Sequence, residues 1–333
     1  MKSLLAICVI NALVASVYAL SPSVALGVKV VDDEENPLSG IPVACIFPDR
    51  TRLGDEDYSI VTNRTGGDGM TRFKGRSYNG WVDYGMIKKE GYYPIGAIRT
   101  DFTNISGLVI RKWLPYDEVQ TITLQKIGKK IPLFVKEAYP KRKQDLTATS
   151  DRKFCYDLVK GDWMPPFGKG EHADIEFQLL PRKDFGVHIG LSGIPGQSYR
   201  DEITMRFTGK DNGIVPMIPP PNAVLKIREA PFEGYEQQSV SWSGRDKNIQ
   251  PERSDNKEKC QAFRIRTIKD ADGKINRALY GKVYGGFLLT YKVEDHPSGV
   301  SFTYYLNLTP NDRNLEWDME HNLCPVRNSF NQP

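Results

Sequence analysis

His172, Asp174 and Glu176 stand at alternating positions. On an extended strand alternate side chains share one face, so this spacing would gather an imidazole and two carboxylates, a donor set that could hold a divalent cation. The interleaved residues Ala173, Ile175, Phe177 and Leu179 are apolar. The same three polar residues therefore also read as the solvent face of a half-buried strand. The stretch 157–176 adds Asp157 and Asp162 among Gly161, Gly168 and Gly170. A pair of carboxylates at the right separation performs acid–base work on a glycosidic bond. Against that, the chain has 4 histidines, none in a known catalytic signature, with no Gly-x-Ser-x-Gly and no His-Glu-x-x-His, which argues against most hydrolases. A structured, glycine-rich turn is the competing account of 157–176. No residue is assigned as catalytic and no cofactor is expected.

Binding chemistry has broader support. The chain carries 16 Tyr and 5 Trp, and exposed aromatic rings can stack on sugars. Trp81, Tyr84 and Trp163, set beside glycines or charges, are the candidate platform. Arg313 lies in Asn311-Asp312-Arg313-Asn314, directly after Pro310. It is either a polar ligand contact or part of a corner in which short polar side chains bond their own backbone. Asp270-Ala271-Asp272-Gly273 looks like a piece of a calcium loop. Placing Gly273 at the sixth loop position puts Ile268 first and Leu279 twelfth, and neither can ligate calcium. Asp272-Gly273 between two alternating runs is therefore a hairpin turn.

The elements that must position these groups are strands. Leu26, Val28 and Val30 alternate, as do Ile41, Val43, Cys45 and Phe47, and Ile122 with Leu124. Further on, Phe263 with Ile265, Phe287 with Leu289, and Val300, Phe302, Tyr304 and Leu306 repeat the same period of two. Turn chemistry separates them: 32–37 is polar and closes on Pro37, and Gly66-Gly67-Asp68-Gly69 can supply positive φ. No run has helical periodicity with caps. The reading is all-β, with two sandwich domains at 20–126 and 151–333, joined by a basic linker at 127–150 and preceded by a leader at 1–19. The second sandwich is the larger and is expected to be antiparallel.

The leader reads as a secretory signal: Lys2, an apolar run from Ser3 to Val17, then Val17-Tyr18-Ala19 in a small-x-small pattern. Cys8 sits inside the apolar run, too early for lipid attachment. No later stretch is apolar enough to span a bilayer, so the expected location is the periplasm or the exterior. Four cysteines remain beyond the leader: Cys45, Cys155, Cys260 and Cys324. Three pairings are open in an oxidising compartment, with a lean to Cys260–Cys324 and a buried thiol for Cys45. Net charge is +4. The one dense basic run comprises Lys126, Lys129, Lys130, Lys136, Lys141, Arg142 and Lys143, which reads as a solvated linker, and no nucleic-acid partner is expected.

The pattern Val28-x-Val30-Val31-Asp32, Pro37-Leu38-Ser39-Gly40-Ile41-Pro42-Val43, Val61-Thr62-Asn63, Asp68-Gly69 and Lys89-Glu90-Gly91-Tyr92 resembles the carboxypeptidase-regulatory, transthyretin-like β-sandwich. That resemblance covers about a hundred residues and implies an immunoglobulin-like sandwich at the N-terminal half, with little about function. One departure is that 64–81 is longer and more polar than a tight hairpin. The second half is similar to uncharacterised secreted bacterial proteins through Asp157-Leu158, Gly161-Asp162-Trp163, Pro166-x-Gly168-Lys169-Gly170 and Phe302-Thr303-Tyr304-Tyr305-Leu306-Asn307. It implies one folded unit and no activity. The expected role is a non-enzymatic exported protein that recognises an extracellular glycan or an envelope protein. A glycan hydrolase built on 157–176 and a purely structural envelope module are the rivals.

Overall fold

A computed structural model of the chain describes residues 21–325, apart from 53–54, 97, 108–109, 141–152, 219–226, 249, 254–259 and 292–296. The expected leader at 1–19 and the second part of the expected linker lie outside the described residues. The described chain is all-β, and it divides into two compact units between Ile127 and Gly128. No helix among the described residues is long and apolar enough to cross a membrane.

The N-terminal unit holds β1 (Ser23–Asp32), β2 (Pro42–Arg52), β3 (Asp55–Arg64), β4 (Met70–Arg76), β5 (Trp81–Tyr84), β6 (Ile98–Asp101), β7 (Asn104–Ser106), β8 (Lys112–Leu114) and β9 (Glu118–Leu124). One sheet runs β4-β1-β8-β7, with β9 pairing in parallel along β1. The other runs β3-β2-β5-β6. The alternating apolar rows meet between them: Leu26, Val28 and Val30 of β1 and Ile122 of β9 pack with Val43, Cys45, Phe47, Val82 and Tyr84. The polar turn at 32–37 is organised by Asp32, whose Oδ1 accepts from the backbone N–H of Glu34 and Asn36 at 2.9 Å each. Gly69 closes the next turn with φ +74, and a Cβ there would run into the Val30 carbonyl, so only glycine fits. The long polar segment 64–81 is used to build β4, which pairs antiparallel with β1 over seven residue pairs.

The C-terminal unit holds β10 (Ile131–Ala138), β11 (Lys153–Asp157), β12 (Asp162–Trp163), β13 (Ile175–Leu179), β14 (Lys183–Ile189), β15 (Pro195–Phe207), β16 (Gly213–Met217), β17 (Gln238–Arg245), β18 (Pro251–Arg253), β19 (Cys260–Lys269), β20 (Ile275–Tyr291), β21 (Pro297–Asn307) and β22 (Trp317–Asn322). A six-stranded sheet runs β16-β19-β20-β21-β10-β22. A seven-stranded sheet runs β12-β11-β13-β15-β17-β18, with β14 pairing only to β15. Pairing is antiparallel throughout except β10 with β22. An aromatic core fills the space between the sheets. Tyr156 meets Trp163 edge-on at 4.8 Å, Phe287 lies 4.9 Å from Phe302, and Phe177 lies 5.8 Å from Phe302. Such pairs contribute about 0.5–1.5 kcal/mol each beyond their buried area.

Two expectations change. Part of the expected linker, Ile131–Ala138, is an internal strand of the six-stranded sheet, with Leu133, Phe134, Val135 and Ala138 buried. Lys136 and the lysines around the strand suggested solvent, but Leu133 and Phe134 supply apolar contacts on opposite faces, the pattern of a strand covered on both sides. No disulfide joins any of the four described cysteines, so the expected Cys260–Cys324 bond is not formed. Cys324 belongs to the core between the sheets, whereas Cys260 stands opposite Tyr284, whose ring packs on the other face of the six-stranded sheet.

Candidate functional site

The stretch 157–176 is a corner tied to β19. Asp157 closes it: Oδ1 accepts from the N–H of Val159 and Lys160 at 3.0 and 2.9 Å, and Oδ2 from those of Glu171 and His172 at 3.0 Å each. Asp174 accepts from the N–H of Leu158 at 2.9 Å. Arg266, reaching in from β19, donates Nε to Asp174 at 3.0 Å and Nη2 to Asp157 at 2.8 Å. It does so from a left-handed backbone, φ 52, in the bulge of β19 between Ile265 and Ile268. Burial works to raise the Asp157 carboxyl, but its backbone donors and Arg266 outweigh burial and hold it below the ordinary carboxylate range. Burial dominates at Asp174 and pushes its carboxyl up against the pull of Arg266. Asp162 is engaged in the same manner, accepting from the N–H of Trp163 and Lys169 at 2.9 Å each. Carboxylates that hold their own backbone this way order a turn; they are not presented to a substrate.

The expected metal triad does not assemble, and no group of three His, Cys, Asp or Glu among the described residues could hold a metal ion. The strand begins only at Ile175, so the alternation does not extend back to His172. Asp174 turns inward to Arg266, with its side chain 1% exposed, while His172 stays in solvent at 3.7 Å from it. Glu176 pairs with Lys153 instead, at 3.2 Å.

Of the four candidate binding residues, two lie in cores. Tyr84 is fully buried, with its hydroxyl 3.3 Å from Thr100 Oγ1 and its ionisation pushed up by burial. Trp163 is buried among Phe154, Tyr156 and Phe177, and its Nε1 donates to the Tyr139 carbonyl at 2.8 Å. Neither shows a ring face to a ligand. Arg313 builds a corner: Nη1 donates to the Ala230 carbonyl at 2.8 Å, Nη2 pairs with Glu229, and the guanidinium lies over the Phe232 ring. Beside it Asn307 Nδ2 donates to the carbonyls of Asp312 and Asn314 at 3.2 and 2.9 Å.

Trp81 alone of the four lies on an outer surface. Val82 and Tyr84 face the core, so Trp81 and Asp83 point the other way. Register places Asp83 between Ile46 of β2 and Arg99 of β6, and Ile46 opposite Ile60 of β3. Tyr58, also on β3, follows the outward phase of Ile60, and the two side chains are 46% and 63% exposed. Arg99 stacks over the Trp81 ring at 4.0 Å and grips Asp83 with Nε at 3.0 Å and Nη2 at 3.3 Å. Its hydrogen bond to Asp83 raises an already high guanidinium ionisation, so the centre of this face is a fixed cation. The outer face of the four-stranded sheet thus combines an exposed tyrosine, a half-buried tryptophan under Arg99, an exposed isoleucine and an oriented Arg–Asp pair. Tyr58, Ile60, Asp83 and Arg99 were missed in the sequence. The available signal was Tyr58 and Ile60 recurring on the phase opposite Val61, where a one-sided strand carries polar residues.

No family model matches the chain, and no curated protein matches it. Among solved structures, it is similar to 3-chlorocatechol 1,2-dioxygenase from Rhodococcus opacus, at 14% identity over 32% of this chain and 61% of that one, with TM-score 0.24. It therefore spans less than two thirds of that enzyme. It is also similar to the shaft pilin SpaA of Lactobacillus rhamnosus GG, at 9% identity over 88% and 94% of the two chains, with TM-score 0.20. A DUF3823 family protein from Parabacteroides merdae shares 6% identity over 90% of this chain and all of that one, with TM-score 0.19. At these scores none of the likenesses bears on what this chain does.

Proposed function

We propose that this chain is an exported, non-enzymatic recognition or assembly protein that holds an extracellular glycan or an envelope protein on the outer face of its β3-β2-β5-β6 sheet. The observation that carries this reading is the grouping of exposed Tyr58 and Ile60 with half-buried Trp81 around the Arg99–Asp83 pair. The exposed Tyr58 ring beside a guanidinium oriented on Trp81 and Asp83 suits a hydroxyl- and carboxylate-rich polymer, because the ring stacks while the cation sets orientation. The hydrolase alternative loses its support where its carboxylates serve the 157–176 corner. The structural-module alternative has the paired sheets on its side but gives no reason for aromatics on the solvent phase. Glycan-array binding and envelope pull-downs with the intact chain test the proposal. Trp81→Ala and Arg99→Ala should each weaken capture at least tenfold while leaving the melting temperature in place. Wild-type protein that retains neither glycan nor envelope protein, or capture indifferent to both substitutions, refutes it.

A further inference from the structure

The outer face of the sheet formed by β4, β1 and β9 carries a row of cations. Thr71, Phe73 and Gly75 of β4 face the core, where Phe73 is buried and a Cβ on Gly75 would meet the Phe47 ring. Arg72, Lys74 and Arg76 therefore point outward, and all three are exposed. At about 3.3 Å per residue they recur every ~6.6 Å and span roughly 13 Å of an edge strand. Register sets Gly27 opposite Arg72, Ala25 opposite Lys74 and Ser23 opposite Arg76, so no long side chain of β1 stands beside the row. Lys29 shares the outward phase, and Lys112 of β8 stands beside Ser23 on the same face. Arg72 pairs with Asp117, which immediately precedes β9. Among the described residues, Lys29, Lys74, Arg76 and Lys112 make no ion pair. Arg76 donates Nη1 to the Ser21 carbonyl at 2.8 Å, and Lys112 lies over the Tyr116 ring at 4.7 Å; both contacts hold a cation without cancelling its charge. Five cations thus stand against one carboxylate, a formal +4 that equals the net charge of the entire chain. Glu118, opposite Leu26, is on the other phase, and Asp33, Glu34, Glu35 and Asp68 belong to turns beyond Lys29 and Met70, at the far end from Arg76 and Lys112.

We infer that this row binds a linear, densely anionic polysaccharide, whose acidic groups lie along β4 from Arg72 to Arg76 with Lys112 beside the end. Charge complementarity selects the ligand. Cations at every second residue of one strand match a polymer that carries anions at intervals, with arginine donating two-pronged to a sulfate or carboxylate and lysine acting as a point charge. Ser106 stands opposite Lys112 and Thr121 opposite Lys29, which adds hydroxyl-bearing side chains to the same face. A single-stranded nucleic acid fits less well, because none of the outward residues of β4 is an aromatic on which a base could stack. An anionic bilayer also fits less well, because these cations follow one edge strand in a line and a membrane is met by a cluster spread over a plane. The surface belongs to the sheet opposite the one that carries Trp81 and Arg99. The inference shares with the proposed function only the premise that the chain meets extracellular polymers.

The test is binding of the full chain to immobilised heparin, with uncharged dextran as the reference, at about 0.1 M salt, where the Debye length of ~10 Å lets neighbouring cations act together. Wild-type protein should be held by heparin and not by dextran. Lys74→Glu/Arg76→Glu should weaken heparin binding roughly tenfold or more, because each reversal removes an attraction and adds a repulsion. Lys74→Gln changes one exposed side chain and should weaken it roughly two- to threefold, so the test survives if the double variant fails to fold. Lys129→Glu/Lys169→Glu reverses two exposed lysines of the C-terminal unit and should leave binding unchanged. The inference is overturned by a wild type that heparin holds no better than dextran, by binding indifferent to Lys74 and Arg76, or by an equal loss in the two double variants. It is likewise overturned if single-stranded DNA or phosphatidylglycerol vesicles are held more tightly than heparin through Lys74 and Arg76. Trp81→Ala should leave heparin binding in place. A loss there, with Lys74→Glu/Arg76→Glu unaffected, overturns this inference and spares the proposed function; capture indifferent to Trp81 and Arg99 but lost with Lys74 and Arg76 does the reverse.

Discussion

Replacing Arg266 by methionine removes the cation that joins β19 to the 157–176 corner while keeping side-chain volume. Two carboxylates are then left without it, Asp157 with its side chain 3% exposed and Asp174 at 1%. Breaking a buried pair from one side costs about 3–5 kcal/mol, because the remaining charge has lost its compensation. Arg266 itself is 26% exposed, and Asp157 keeps four backbone donors. Both moderate the loss, so a value of about 3 kcal/mol is expected. In urea, where unfolding free energy falls by about 1–3 kcal/mol per molar, the midpoint of the C-terminal unit should drop by roughly 1–3 M. The pH dependence is more diagnostic. Asp157 is held below its ordinary value in the folded chain. Its contribution is therefore present above about pH 3.9 and is lost as pH falls through the folded value. Asp174 is displaced upward, so it acts with the opposite sign: its contribution is present below about pH 3.9 and is lost as pH rises through its folded value. Without Arg266 both carboxyls move up. The variant's deficit should then be largest near neutrality and shrink as the pH is lowered towards 4. Urea unfolding followed by near-UV circular dichroism at pH 7 and pH 4 reads both quantities. A midpoint shift under about 0.3 M at pH 7, or a deficit that widens on acidification, would show that the corner does not depend on this ion pair.

Gly281→Ala should destabilise the C-terminal unit by about 1–3 kcal/mol in the same unfolding experiment, because a Cβ there collides with the Phe263 ring and the Tyr305 carbonyl. Cys45 is fully buried, and burial pushes its thiol up to about 12, so mass spectrometry after iodoacetamide at pH 8 should find it unlabelled until the protein is unfolded. His321 pairs with Asp318 at 2.8 Å, and that hydrogen bond raises its ionisation above the usual imidazole value. Its contribution to stability is present below about pH 6.5 and is lost as pH rises through the folded value. The NMR titration midpoint should lie above 6.5 and return towards it in Asp318→Asn.

The strands were legible because alternation is a local property of an extended chain: Ile175, Phe177 and Leu179, or Phe302, Tyr304 and Leu306, record their buried face in their own spacing. Turns were legible for a similar reason. Asp270 Oδ1 accepts from the N–H of Asp272 and Lys274 at 3.0 and 2.9 Å, and Gly273 takes φ 80, all within five residues. What the spacing could not convey is which surface each face meets. Trp81 and Trp163 have the same side chain, yet one lies under Arg99 on an outer sheet and the other is enclosed between two sheets. Asp174 looked like a metal ligand until a guanidinium 92 residues away claimed it, and Asp157 meets the same group across 109 residues. Lys136 and the lysines before β10 hid an internal strand because its neighbours, β21 and β22, come from the far end of the chain. The sequence by itself determined where the chain is extended and where it turns, since both depend on bonds made within a few residues. Only the tertiary structure decided which charges are neutralised and which aromatics are buried. Those outcomes depend on groups that distant strands bring together when the sheets close.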